Sequence, residues 1–231
     1  MEFTLLWAAL TAFAAAFVTI RLTKPAVPDR PLDRIVGAAV AGIAVGRVAA
    51  VLMQGTNPLT NPGELLIIRG GVDTIAASLS GAVFLVWPLR RMPAALDAIA
   101  PAILAALAGW HAGCLWRSAC LGTISDLPWA WALPGSDITR HPVEIYAAVV
   151  LLAGAWAIKS VPSHLGTAAA MAIFWAGLAR LATEPFRPSL GAGLSWFYAL
   201  ATVTGLTAAG LFALRSRRLG NKAAPSPYPP G

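Results

Sequence analysis

The sequence predicts an all-α protein, a polytopic transmembrane helical bundle of about seven spans with its N-terminus outside and its C-terminus in the cytoplasm. Three observations carry that expectation. Of the 231 residues, 58% are apolar and only 12% charged, and the mean hydropathy is +0.69, which is far from the balance of a soluble domain. The apolar residues fall in long unbroken runs, not in the roughly ten-residue alternating segments of a membrane barrel. The basic residues favour alternate loops.

About seven runs approach the ~20 residues needed to cross a hydrocarbon core: 3–20, 34–53, 72–89, 94–116, 143–161, 165–182 and 194–214. The first is read as a span and not as a cleaved signal, because Met1-Glu2 offers no basic lead and the positive charges follow the run at Arg21 and Lys24. Eleven Lys and Arg fall in the loops after runs one, three and five and in the C-terminal tail, against five in the other loops. Cytoplasmic loops carry the excess of positive charge, which gives the N-out, C-in orientation and a bacterial inner membrane as the expected home.

The expected organisation is a transmembrane domain over 1–214 followed by a basic, Pro-rich cytoplasmic tail over 215–231, whose composition favours disorder. The net charge of +7 is dispersed, with no basic patch interleaved with aromatics, so a nucleic-acid partner is not expected. No internal repeat is evident, which weakens a secondary-transporter reading.

Charged residues at membrane depth are costly and therefore mark candidate sites. Arg47 lies within run two beside Gly46, either reaching to the outer interface, pairing with Asp97, or anchoring an anionic headgroup. Arg69-Gly70-Gly71-Val72-Asp73 opens run three, where bare backbone beside an arginine suits a phosphate or a plain turn. Asp97, at the start of run four, reads as a first-turn partner of a helix dipole. The segment 109–122 gathers His111 as a possible base, Gly113 as a close-approach position, Arg117 as a possible phosphate clamp, and Cys114 and Cys120 as nucleophiles, a disulfide or small apolar residues. One histidine and two cysteines at these spacings make no zinc pattern, and neither metal nor cofactor is expected.

Arg140-His141-Pro142-Val143-Glu144-Ile145-Tyr146 reads as the entrance to run five, with Pro142 at the first helical position and Glu144 in the first turn. Arg140, His141, Glu144 and Tyr146 would then converge at the outer mouth of the bundle. Arg180 and Glu184 stand four residues apart at the end of run six, where Pro185 disfavours helix at Glu184, so the pair either satisfies itself or, with Arg187, forms an anion site.

In this order the segments resemble the bacterial prolipoprotein diacylglyceryl transferases, over about residues 42–187. The sharpest match sets Arg140-His141-Pro142-x-x-x-Tyr146 beside that family's Arg-His-Pro-Ser-Gln-Leu-Tyr-Glu; Asp97-x-Ile99-Ala100-Pro101, Gly113, Gly122, Leu127-Pro128-Trp129, Gly70-Gly71 and Arg180-x-x-x-Glu184-x-x-Arg187-Pro188 accompany it. The resemblance implies seven spans, N-out and C-in, and transfer of the diacylglyceryl group of phosphatidylglycerol to the thiol of a lipobox cysteine in a prolipoprotein peptide. It implies His111, Arg140, Glu144, Tyr146 and Arg180 as catalytic residues, Arg69, Gly113, Arg117, Arg140 and Arg187 on the phospholipid, and Asp97, Pro142 and Glu184 in support. The chain also departs from the pattern: Ile75-Ala76-Ala77 stands where the family has His-Gly-Gly, and His111 stands where the family's Gly-Arg-x-Gly-Asn-Phe-x-Asn-Gly-Glu has its arginine. Charge and base would then be redistributed, with His111 as base and Arg117 or Arg69 as clamp. Two other classes stay open: a non-catalytic protein binding membrane lipid or a lipoprotein, and a small-solute transporter or thiol-redox protein using Cys114 and Cys120.

Overall fold

A computed structural model describes residues 4–25, 30–66, 71–115, 120–133, 135–161, 166–188 and 194–223. The elements are α1 (Thr4–Thr23), α2 (Pro31–Met53), the short α3 (Gly63–Leu66), α4 (Thr74–Leu89), α5 (Pro93–Gly113), α6 (Val143–Lys159), α7 (Thr167–Thr183), a 3-10 turn (Glu184–Phe186) and α8 (Ser195–Ala223). Among the described residues the only β pairing is two isolated bridges, from Arg140 to Ile124 and to Trp131. All seven apolar runs form helices. The segments Leu6–Thr23, Pro31–Met53, Pro93–Gly113 and Ser195–Ser216 are long and apolar enough to cross a bilayer. The helices α4, α6 and α7 have 16, 17 and 17 residues; at roughly 1.5 Å rise per residue each reaches about 24–26 Å, short of the ~30 Å core. α8 continues through Ala223, so the segment expected as a tail begins as helix, and 224–231 lies outside the described residues.

The chain divides into two compact units, one of α2–α4 and one of α1 with α5–α8. In the first, α2 and α4 run antiparallel, and the close approach is made by Gly42 and Gly46. A methyl group at Gly42 would lie 2.8 Å from the Ala77 carbonyl oxygen, and one at Gly46 2.8 Å from that of Asp73. Two small residues four apart form one helix face that lets backbones meet, the packing that works where lipid removes the hydrophobic drive between helices. Asp73 caps α4 by accepting from the Ala76 N–H at 2.7 Å.

The second unit repeats the device. Gly109 and Gly113 of α5 face α1, where Thr11 donates its hydroxyl to the Gly109 carbonyl at 2.7 Å. The core between α5, α6 and α7 is built from small and branched residues, among them Ala100, Leu104, Ala108, Leu151, Ile158, Ala172 and Ala179. Many large apolar side chains face outward, including Trp7, Phe13, Val83, Trp156, Trp196 and Val203, as the surface of a protein solvated by lipid requires.

Candidate functional site: a carboxylate shared by a histidine and two arginines

Three separate stretches of sequence meet around Glu144. α6 begins at Val143 with Pro142 as the residue before it, φ −77° and ψ 64°. Pro142 thus stands one position earlier than expected, capping the helix instead of opening it. Glu144 falls in the first turn, where a carboxylate suits the helix dipole, and is only 5% exposed. Its Oε2 contacts Nδ1 of His111, from the last turn of α5. Its Oε1 lies 2.8 Å from Nη2 of Arg187 and 3.8 Å from Nη1 of Arg180. The Arg187 contact is a charge pair off the hydrogen-bonding line, for Nη2 satisfies no hydrogen-bond geometry despite its proximity.

The Arg180–Glu184 ion pair, one of the two alternatives left open, does not form among the described contacts. The chain leaves α7 at Thr183 into the 3-10 turn, with Pro185 in its first turn, and Glu184 turns to Ser195, whose hydroxyl lies 3.5 Å from its Oε1. Arg180 instead spans Glu144 and the ring of Tyr198, 5.1 Å from the ring centre. Arg187 is extended at φ −89° and ψ 143°, the conformation that a following proline favours. The Nε groups of both arginines are buried with no acceptor among the described residues. Two guanidinium charges therefore face one carboxylate, leaving a surplus of positive charge with spare donors.

A second cluster lies beside the first. The Tyr146 hydroxyl accepts from Trp129 Nε1 at 2.8 Å and lies 3.3 Å from Nδ1 of His141, and Phe186 packs against both rings. The hydroxyl of Tyr146, one of the expected catalytic residues, is thus engaged by Trp129 and His141. Arg140 is bridged to Ile124 and Trp131 through its backbone and donates from Nη1 to the Gly122 carbonyl at 3.2 Å. Gly122 is needed there: a methyl group would strike the Phe186 carbonyl and lie 3.0 Å from the His141 Cβ. Trp129, Phe186 and Tyr198 were not among the expected site residues. The aromatic ring contacts come from residues distant in sequence, which no local pattern signals.

Other expected residues have structural surroundings. Gly113 lies against Ala8 and Thr11 of α1, a helix-packing position. Asp97 is 2% exposed and accepts from the Ala169 N–H at 2.8 Å, so it serves the first turn of α7 and not that of its own helix. Arg69 and Arg117 lie outside the described residues. In the other unit Ile75, Ala76 and Ala77 form the first turn of α4 and bring no titratable group. Arg47 is 5% exposed and donates from Nε and Nη2 to the Glu64 carbonyl, at 3.1 and 2.6 Å, and from Nη1 to that of Gly71 at 2.8 Å.

Cys114 and Cys120 form a disulfide, with their Cα atoms 5.9 Å apart. It ties the end of α5, three residues beyond His111, to a loop stitched onto both neighbouring segments: Gly122 N–H donates to the His141 carbonyl and Thr123 N–H to that of Phe186, each at 2.8 Å. Among the described residues, no three His, Cys, Asp or Glu side chains gather as a metal site.

An apolar helical bundle with charged side chains collected at its helix ends fits the membrane transferases. The family model described as prolipoprotein diacylglyceryl transferase matches residues 2–216. The chain belongs to that family. The phosphatidylglycerol–prolipoprotein diacylglyceryl transferases of Pseudomonas paraeruginosa and Pseudomonas aeruginosa are 25% identical to it over 167 residues, 68% of this chain. The match spans 63% of the length of these relatives.

Proposed function

We propose that this protein transfers a diacylglyceryl group from phosphatidylglycerol to the thiol of a prolipoprotein lipobox cysteine, on a seven-span, N-out, C-in scaffold in the bacterial inner membrane. The observation that supports this most is the contact of His111 with Glu144 beside Arg180 and Arg187. The family motifs quoted above carry arginine where this chain has His111 and glutamine where it has Glu144. The two replaced positions touch, so the changes read as one exchange: a fixed cation and an amide for a titratable pair.

Glu144 holds Nδ1 of His111 and stabilises the imidazolium, which leaves Nε2 to take the proton of the lipobox thiol. The thiolate attacks the glyceryl carbon that bears the phosphate. The S–C bond forms, the C–O bond breaks, and glycerol phosphate leaves with the bonding electrons. Arg180 and Arg187 hold the departing phosphate through donors that Glu144 does not use. Arg140, with Arg69 and Arg117, holds the rest of the lipid headgroup; Tyr146 shapes the wall beside it, and Asp97, Pro142 and Glu184 fix the helix ends.

The test is expression in cells depleted of their own transferase, with the mass of a reporter lipoprotein as readout. A gain of one diacylglyceryl group is expected, and His111→Ala or Arg180→Ala should lower the rate by about 10²-fold or more. A stably inserted chain that transfers nothing sinks the proposal. The disulfide favours one second reading, a thiol-redox membrane protein; it would be selected if Cys114→Ser abolishes function while Arg180→Ala leaves it intact.

A further inference from the structure

The unit of α2–α4 carries an open groove of about 620 Å³ that no part of the transfer reaction uses. It is lined by Arg30, Asp33, Arg34 and Gly37 from the start of α2 and by Phe84, Leu85 and Pro88 from the end of α4. The two walls differ in chemistry. One presents two guanidinium groups and a single carboxylate, with Arg30 and Asp33 in a loose, exposed pair at 3.8 Å. The other is apolar, and Phe84 is 51% exposed. Gly37 keeps the space open, since a methyl group there would lie 3.0 Å from the edge of the Phe84 ring.

The antiparallel pairing of α2 and α4 adds charge at the same end. Arg90 and Arg91 follow the last turn of α4, and Arg90 folds over Trp87, 4.1 Å from the ring centre. Arg30, Asp33 and Arg34 thus line the groove, and Arg90 and Arg91 follow in the chain at the same end of the α2–α4 pair. Free phosphate would account for the arginines but not for the apolar wall beside them. A soluble anionic protein would account for neither the apolar wall nor its place at the ends of two lipid-facing helices.

We propose that this groove binds an anionic phospholipid, its phosphodiester held between Arg30 and Arg34 and the upper part of an acyl chain lying along Phe84, Leu85 and Pro88. The basic ends of α2 and α4 are the ends that charge bias assigns to the cytoplasm, so the occupant is a lipid of the inner leaflet. The site stands on the α2–α4 unit alone and does not depend on the transfer reading.

The experiment uses the full chain in nanodiscs and photoactivatable phospholipids, with adducts located by mass spectrometry. A phosphatidylserine probe should label the segments around Gly37 and Phe84 above a phosphatidylcholine probe of the same chain length. Arg30→Gln and Arg34→Gln should each lower that labelling about fivefold, and Gly37→Leu, which fills the groove and keeps the charge, should lower it as well. Arg180→Ala should leave it unchanged. Equal labelling by the two lipids, or labelling that survives both arginine substitutions, would show ordinary boundary lipid and overturn the proposal. Displacement of the probe by millimolar inorganic phosphate alone would also overturn it, by showing a free-phosphate site. Should Gly37→Leu fail to insert, the two arginine variants decide the matter.

Discussion

Arg47 is buried and Arg187 only partly exposed, and their guanidinium groups are partnered in different ways. Arg47, in the α2–α4 unit, directs three guanidinium nitrogens at main-chain carbonyls of Glu64 and Gly71. Those acceptors are fixed by the fold and cannot leave, so Arg47 acts as a strut that closes the loop between α2 and α4. Arg187, in the α1/α5–α8 unit, shares one carboxylate with Arg180 and His111 and keeps Nε unpaired among the described residues. A buried cation with unmet donors costs stability unless an anion arrives to meet them. The two arginines are set apart by their acceptors and their unmet donors, not by their depth of burial.

That contrast can be broken most severely at Glu144. Glu144→Gln removes the carboxylate shared by Arg180, Arg187 and His111 and should destabilise the protein by about 3–5 kcal/mol, read by thermal unfolding in lipid nanodiscs. Adding His111→Arg to Glu144→Gln restores the combination found in the family motif and should recover most of the loss; a double variant no better than the single one would refute the paired exchange. Arg47→Met should cost about 3 kcal/mol by leaving carbonyl acceptors buried and unmet, yet change the rate of transfer per folded molecule by less than about twofold. A selective loss of turnover would place Arg47 in the chemistry and erase the distinction drawn here. The smallest effect is expected at Tyr146→Phe, which removes a hydroxyl held by Trp129 and His141 and should cost about 1 kcal/mol, read in the same unfolding assay.

The helices were legible in the sequence because hydropathy is a local property: a run of apolar residues reports its solvent whatever it packs against. Glu144 was legible for a similar reason, since Pro142 before a helical run marks its start and places the next acidic residue in the first turn. Partner choice was not. Arg180 and Glu184 have the spacing of an ion pair, but the 3-10 turn at Pro185 carries Glu184 toward Ser195 and leaves Arg180 to Glu144, a residue 36 positions earlier. Asp97 had the position of a dipole partner, and only the packing of α7 showed whose dipole it meets. His111 could be seen as a departure from a motif; its contact with Glu144 could not.

The disulfide between Cys114 and Cys120 doubles as a compass. Such a bridge persists in oxidising surroundings and is lost in the bacterial cytoplasm. On the proposed N-out scaffold, in which α1, α2, α4 and α5 would each span, the end of α5 with Cys114 would face the oxidising side. A chain inserted the other way round would carry two reduced thiols there. The proposed orientation thus predicts a bridge that thiol-blocking reagents leave untouched in intact cells, and two blocked thiols there would count against it.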